Sequence, residues 1–199
     1  MAQQIEGRVL KQFCMGLSLL LLGCGPAPQT DFLVGTDVTG SSINGQFTLT
    51  DHMGRLRHLD DFKGKLVAVF FGYTRCPDVC PTTMMSLASA MKLLGDKSRD
   101  VQVLFITVDP ERDTQEILAQ YVPSFHPDFL GLVGTPAQLK EAARNYRAVY
   151  RKQATEDGDS YTMDHSAGVY VFDREGKIRA FLRHDQTPAE LAHDITHFY

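Results

Sequence analysis

The sequence has no excess of basic residues and no apolar run long enough to cross a membrane. Its 199 residues include 20 Lys and Arg against 24 Asp and Glu, which gives a formal net charge of -4. A nucleic-acid binder needs clustered Lys and Arg to neutralise phosphates, so this balance argues against nucleic acid as a partner. Hydrophobic residues make up 43% of the chain, which is enough for one domain with a substantial core. We find neither an internal repeat nor a second folded domain.

The first thirty residues have the pattern of an export segment. Arg8 and Lys11 form a short basic stretch, and residues 13–22 are mostly apolar. A membrane span needs about twenty apolar residues, so a run of about ten is typical of a signal peptide instead. The run ends in Leu21-Leu22-Gly23-Cys24, which resembles the bacterial lipobox, where a cysteine after a small residue is lipidated. The alternative is an ordinary secretory signal that is cut nearby, with Cys24 incidental.

This interpretation divides the chain into three parts. Residues 1–23 are a lipoprotein-type signal peptide, residues 24–42 are the lipid anchor and tether, and residues 43–199 are the folded domain. Two or three acyl chains on Cys24 exceed the single chain that binds a membrane only marginally, so the attachment would be stable. We therefore expect a bacterial cell-envelope protein that faces the periplasm or the outer side of the cytoplasmic membrane.

Cysteine is scarce, and its placement is informative. Of four cysteines, only Cys76 and Cys80 remain as thiols in the folded domain if the signal peptide is removed and Cys24 is lipidated. The pair follows an apolar strand at residues 67–71, where a helix begins. The unpaired N–H groups and the dipole of a helix start favour thiolate over thiol, and Arg75 adds a full positive charge. A four-residue step in a helical turn can also bring both sulfurs to one side.

The hydrophobic pattern predicts an α/β fold. Strands are expected near residues 47–50, 55–59, 67–71, 101–108, 129–133, 168–172 and 177–182, and helices near residues 81–94, 114–122, 137–149 and from residue 188 onward. Residues 151–160 are polar and are expected to form a solvent-exposed loop. Buried strands that alternate with helices indicate a mixed central sheet flanked by helices. Cysteines at the first strand–helix junction suggest a thioredoxin-like fold with an extra N-terminal β-hairpin.

The spacing of the cysteines favours a metal ion over a structural disulfide. A cysteine pair in an exported protein is most often a disulfide, structural or catalytic. A disulfide that closes so short a loop constrains the unfolded chain very little, which argues against a purely structural bridge. Thioredoxin-type enzymes have two residues between their cysteines, whereas three separate Cys76 from Cys80, and Pro77 and Pro81 stiffen the segment. This wider spacing suits two sulfurs that share an ion.

Several segments, in order along residues 45–195, resemble the Sco/SenC family, named for synthesis of cytochrome c oxidase. The segments are Gly72-Tyr73-Thr74-Arg75-Cys76-Pro77-Asp78-Val79-Cys80-Pro81, Val108-Asp109-Pro110-Glu111-Arg112-Asp113-Thr114, Phe125-His126-Pro127 with Gly131-Leu132-Val133-Gly134, and Asp164-His165-Ser166. The resemblance implies a membrane-tethered, thioredoxin-like domain that binds copper, as Cu(I), Cu(II) or both. Its implied partner is the CuA-bearing subunit of cytochrome c oxidase, or another periplasmic copper protein.

The ligand set implied by this resemblance is Cys76, Cys80 and His165. Copper(I) prefers thiolates and accepts an imidazole as a third ligand. His165 is distant in sequence, but it just precedes a strand whose leading loop faces the cysteine helix in thioredoxin-like folds. Thioredoxins carry a cis-proline there, whereas this chain has no proline between Pro136 and Pro188. A histidine in that region would open the site to a metal ion.

Other residues are weaker candidates. Asp78 is either a weak oxygen ligand or a turn residue, and Asp164 either orients His165 or faces solvent. Arg75 is a candidate for supporting the thiolate. The remaining side chains with ligand chemistry are interpreted as core or surface, or have no recognisable partners: Met84, Met85, Met163, His193, His197, His52, His58, His126 and His184.

Three functions are consistent with these residues, and whether the chain is an enzyme stays open. The first is a copper metallochaperone that assists assembly of the CuA centre. The second is a thiol-disulfide oxidoreductase that reduces the CuA-site cysteines with Cys76 and Cys80 as its redox pair. The third is a peroxide-reducing or redox-sensing protein. His165 separates the first two, because a three-ligand copper site requires it and dithiol exchange does not.

Overall fold

The structure of the protein is a computed structural model that describes residues 32–155 and 160–199. The predicted signal peptide, Cys24 and the first part of the predicted tether lie outside the described residues. Residues Leu33–Tyr199 form one compact unit. Among the described residues, no helix is long and apolar enough to cross a membrane.

The unit contains ten strands and four α-helices in the described ranges. The strands are β1 (Thr36–Asp37), β2 (Leu49–Asp51), β3 (Leu56–Arg57), β4 (Leu66–Gly72), β5 (Val101–Thr107), β6 (Leu130–Val133), β7 (Tyr150–Ala154), β8 (Tyr161–His165), β9 (Val169–Phe172) and β10 (Ile178–Leu182). The helices are α1 (Val79–Leu94), α2 (Gln115–Tyr121), α3 (Pro136–Tyr146) and α4 (Pro188–Thr196).

An eight-stranded mixed sheet in the order β1-β10-β9-β4-β5-β6-β2-β3 forms the centre of the molecule. The strands β4, β5 and β6 are parallel, and β9 pairs with β4 in the antiparallel direction. All seven residues of β4 and all seven of β5 are buried, as expected for strands that are covered on both faces. The predicted thioredoxin-like α/β fold and the extra N-terminal hairpin, β2–β3, are confirmed.

The helix boundaries follow local chemistry. Helix α1 begins at Val79, before the predicted start, so that Pro81 occupies its first turn, where a missing N–H costs nothing. Thr135 caps α3, with Pro136 in the first turn. The predicted end of α3 near residue 149 is too late, because Arg147 has a left-handed φ of 55° that ends the helix at Tyr146.

The loop predicted at residues 151–160 is wrong over its first part. Strand β7 pairs with β8 in antiparallel register from Tyr150↔His165 to Ala154↔Tyr161, and this hairpin is a separate two-stranded sheet. Most residues of β7 are exposed, so its sequence is polar although its backbone is extended. A strand that faces solvent lacks the apolar alternation that would have identified it.

Candidate metal centre

The two cysteines lie where the central strand ends and α1 begins. Cys76 is half-buried in the turn after β4, and Cys80 is the second residue of α1 and fully buried. The backbone N–H of Cys80 points at Cys76 Sγ, 3.4 Å away. Gly72 at the end of β4 leaves room for this arrangement, because a Cβ there would lie 3.0 Å from Cys80 Sγ. Both cysteines are free thiols.

His165, the last residue of β8, lies next to the two cysteines. Its Nε2 lies 3.4 Å from Cys80 Sγ, and the ligand atoms of Cys76, Cys80 and His165 are all within 4.8 Å of one another. Protein thiolate and imidazole ligands lie roughly 2.0–2.3 Å from a bound ion, so two ligands on opposite sides are about 4.5 Å apart. Small side-chain rotations are therefore enough for the three atoms to share one ion.

The orientation of the His165 ring suits a ligand. Its Nδ1 lies 3.1 Å from the carbonyl oxygen of Ser166. A carbonyl oxygen only accepts hydrogen bonds, so Nδ1 is the proton-bearing nitrogen of a neutral ring, and in that tautomer the lone pair of Nε2 points toward the sulfurs. The rings of Phe70 and Tyr73 contact the imidazole edge-on, with centroids at 6.1 and 5.8 Å. Packing and the Ser166 carbonyl thus hold the ring in place without a carboxylate.

The two thiols differ strongly in acidity. The Cys80 thiol, together with N–H groups of Asp78 and Cys80, lowers the pKa of Cys76 to about 5 against the opposing effect of burial. The same interaction with Cys76, followed by burial, raises the pKa of Cys80 far above its usual range. Cys76 is therefore the thiolate, and Cys80 keeps a proton that faces two acceptors, Cys76 Sγ and His165 Nε2.

Asp113 anchors the turn that carries Cys76, a role that the sequence analysis missed. Its fully buried carboxylate accepts hydrogen bonds from Thr74 N at 2.9 Å, Thr74 Oγ1 at 2.6 Å and Thr107 Oγ1 at 2.6 Å. An aspartate at this position could equally cap α2, but the cap of α2 is Thr114. An acidic residue at a helix start has the same sequence signature in either role, so only the tertiary contacts identify it.

The side chains of the three supporting candidates point away from the ligand atoms, although the backbone N–H of Asp78 contacts the Cys76 sulfur. Asp164 accepts from Gln153 Nε2 at 2.7 Å and pairs with Arg151 at 3.4 Å, because adjacent residues of a strand point to opposite faces. The Asp78 carboxylate accepts from Thr82 Oγ1 at 3.4 Å, on the exposed side. Arg75 is exposed, and the largest effects on the Cys76 pKa are the hydrogen bonds described above.

The other candidate sulfur and imidazole groups lie in the core, at the surface or beside other partners. Met84 and Met163 are buried in the core, and Met85 is exposed. His193 Nδ1 lies 3.0 Å from Asp194 Oδ1, and His126 stacks on Phe129. In the described ranges, Cys76, Cys80 and His165 are the one cluster with metal-ligand geometry.

A family model described as SCO1/SenC matches residues 36–199. The chain belongs to the SCO1/SenC family. This match confirms the resemblance inferred from the sequence motifs, and it covers the whole of the sheet and all four helices. The Sco/SenC assignment concerns the folded unit and leaves the N-terminal segment aside.

Relatives agree with the Sco/SenC assignment. A SCO2-like protein of Rickettsia felis is 36% identical over 150 residues, which are 75% of this chain and 73% of that protein. The mitochondrial SCO2 homolog of Bos taurus is 42% identical over 153 residues, which are 76% of this chain and 58% of that protein. A solved structure, Bradyrhizobium japonicum ScoI with copper bound, is 41% identical with a TM-score of 0.72, and the match covers 79% of this chain and 99% of that one.

Proposed function

We propose that this protein is a copper metallochaperone, tethered to the membrane through lipidated Cys24, that assists assembly of the CuA centre of cytochrome c oxidase. The proposed ligands are Cys76, Cys80 and His165. Membership of the Sco/SenC family supports the link to the oxidase, and the copper in the related ScoI structure supports the cargo. The lipobox-like segment before Cys24 supports the tether.

The observation that carries the proposal is the convergence of two sulfurs and one imidazole nitrogen within 4.8 Å. Thiolate and imidazole form the soft ligand set that copper(I) prefers. Cys76 is the more acidic thiol and His165 Nε2 lies beside Cys80 Sγ, so Cys80 is the cysteine that must lose a proton to bind the ion. The half-buried Cys76 leaves one side of the ion accessible, so a thiolate of a partner protein could replace one ligand at a time.

Copper titration of the reduced protein tests this assignment. We expect the wild type to bind one copper ion tightly and His165→Ala to bind it at least roughly tenfold more weakly, because loss of even an outer contact to a ligand costs about that much. His184→Ala, a histidine outside the site, should bind copper as the wild type does. Unchanged affinity in His165→Ala would contradict the ligand assignment.

The acidity of the thiols favours one second function, a thiol-disulfide oxidoreductase. The Cys76 thiolate would attack a disulfide of the oxidase subunit, releasing one subunit thiolate and forming a mixed disulfide. Cys80 would give its proton to the released subunit thiolate and attack Cys76 Sγ. This breaks the mixed disulfide, expels the second subunit sulfur as a thiolate and joins Cys76 to Cys80. An external dithiol would then restore the pair.

The same variant separates the two functions. His165→Ala should keep its rate of dithiol exchange within about twofold while it loses tight copper binding, since the imidazole takes no part in breaking or forming S–S bonds. If the oxidoreductase were the main role, assembly of the oxidase in cells would survive His165→Ala and fail with Cys76→Ser. If the metallochaperone role holds, assembly fails with both.

A further inference from the structure

The strand that carries His165 is not part of the central sheet. Strands β7 and β8 pair with each other as a separate two-stranded sheet, and His165 is the last residue of β8. The position of the imidazole therefore follows the position of the whole hairpin. Side-chain contacts, rather than a backbone ladder, hold this hairpin against the body of the protein.

One face of β8 makes these contacts. Tyr161, Met163 and His165 alternate along the strand and face inward, whereas the side chains between them are exposed. Met163 packs in the core, and His165 contacts Phe70 and Tyr73. Tyr161, at the opposite end of the strand from His165, is in contact with the loop after β5.

That contact is a cluster of Asp109, Arg112 and Tyr161. The Tyr161 hydroxyl donates to Asp109 Oδ1 at 2.8 Å, and Arg112 Nη1 donates to the Tyr161 carbonyl oxygen at 2.9 Å. The Arg112 guanidinium also lies 3.6 Å from the centre of the Tyr161 ring, and its Nε donates to Asp109. Asp109 is fully buried and the Arg112 side chain is 14% exposed, so solvent screens these interactions only weakly.

The cluster is poorly suited to a purely stabilising role. Arg112 Nη2 is buried and has no hydrogen-bond partner among the residues that the structure describes, which is expensive for a charged group. The same short loop ends in Asp113, which anchors the turn that carries Cys76. One segment of chain thus contacts both the cysteine turn and the histidine hairpin, and it is well placed to set the distance between their ligand atoms.

We propose that Asp109, Arg112 and Tyr161 form a latch that positions His165 by fastening the β7–β8 hairpin to the loop after β5. The three are positioning residues, since none of them contacts the ligand atoms. With the latch closed, the imidazole stays within reach of both sulfurs before copper arrives. This inference rests on the proposed function only in taking copper as the cargo that His165 binds.

Amide hydrogen exchange of the copper-free protein tests the latch directly. In Arg112→Gln we expect the amides of the β7–β8 ladder to exchange roughly tenfold faster, because hydrogen bonds of a charged group are lost. In Tyr161→Phe, which keeps the ring over Arg112, we expect the same amides to exchange roughly threefold faster. Exchange in α1 should not change. Glu111→Gln is the matched control, because it removes an exposed pair of 2.5 Å with Lys152 between the same loop and hairpin and should change exchange by less than about twofold.

Copper(I) competition titration and X-ray absorption give the second readout. We expect Arg112→Gln to bind copper roughly tenfold more weakly and to lose much of the nitrogen neighbour at the metal, with both sulfurs retained. Glu111→Gln should match the wild type in both measurements.

The outcomes separate the latch from the metallochaperone proposal. Unchanged hairpin exchange in Arg112→Gln overturns the latch, as does faster exchange with unchanged copper affinity. If Arg112→Gln does not fold, Tyr161→Phe decides in the same way. A wild-type protein that binds no copper refutes the proposed function, and hydrogen exchange then decides by itself whether the hairpin is latched.

Discussion

The acidity of Cys76 depends mainly on one neighbouring atom. The Cys80 thiol is the largest cause of its low pKa, and burial opposes the effect. Cys80 in turn keeps its proton because the adjacent thiolate and a buried environment both disfavour a second negative charge. The pair thus holds a single proton at neutral pH, and this asymmetry serves either proposed chemistry.

Substitution of Cys80 should therefore raise the pKa of Cys76. In Cys80→Ala we expect the value to rise from about 5 toward the ordinary value of 9.0, since the largest stabilising interaction is gone. Thiolate absorbance followed against pH measures this change. Cys80→Ser is the matched control, because its hydroxyl still donates and should keep the pKa of Cys76 lower than in Cys80→Ala. Equal values in the two variants would show that a donor at this position is not the cause.

At the scale of elements, the loop between β5 and α2 contacts both parts of the site although it contributes no ligand. Asp113 contacts the cysteine turn through Thr74, and Arg112 contacts the hairpin through Tyr161. Neither residue lies beside the cysteines in sequence. Their effect depends on β4 and β5 being parallel neighbours whose carboxyl ends meet at one edge of the sheet.

Asp113→Asn should loosen the cysteine turn and destabilise the fold. The substitution replaces a buried acceptor of three hydrogen bonds by an amide whose NH2 faces other donors, so we expect a loss of about 2–4 kcal/mol in the free energy of unfolding. Urea denaturation measures it. Asp164→Asn, at an exposed carboxylate, should leave the unfolding midpoint within error. A midpoint equally unchanged in Asp113→Asn would mean that the hydrogen bonds of Asp113 do not stabilise the turn.

The β2–β3 and β9–β10 hairpins have the same arrangement of hydrogen bonds around a buried aspartate. Asp51 accepts from the N–H groups two and four residues later and from the Arg57 guanidinium at 2.8 Å. Asp173 does the same with Glu175, Lys177 and, at 2.6 Å, Arg179. Each buried carboxylate therefore reinforces a turn that backbone hydrogen bonds also close.

At the scale of the whole molecule, buried aspartates set the stability at acid pH. Burial raises the pKa of Asp51, Asp173 and Asp194, but their hydrogen bonds outweigh it and the pKa of each falls below the model-peptide value of 3.8. Groups of this kind stabilise the fold fully above their unfolded-state pKa, and the contribution is lost as pH falls through the folded-state pKa.

We therefore expect these three groups to add no pH dependence to the free energy of unfolding between about pH 5 and 7. Below about pH 4 we expect the free energy of unfolding to decrease. Urea denaturation at several pH values measures this. Asp51→Asn should lower stability at neutral pH and reduce the fall at acid pH, whereas Asp60→Asn, at an exposed acid, should do neither. An Asp51→Asn protein with the wild-type pH profile would contradict the assignment.

Local patterns in the sequence determined much of this protein. Apolar runs identified β4 and β5 because strands buried on both faces need side chains of that kind throughout. Threonine–proline pairs stand at the starts of α3 and α4, where capping involves only neighbouring residues and is therefore determined locally. The cysteine spacing and the accompanying motifs indicated the family, which the match over residues 36–199 bears out.

Tertiary structure alone decided how the site is assembled. The sequence did not identify β7, because a solvent-facing strand has no apolar alternation. Without that hairpin the sequence left open whether Asp164 orients His165 or faces solvent, and the strand places it on the face opposite His165. Nor did the sequence reveal that Asp113 and Arg112 reach opposite sides of the site. Contacts between residues distant in sequence depend on how the elements pack, and no local periodicity records that packing.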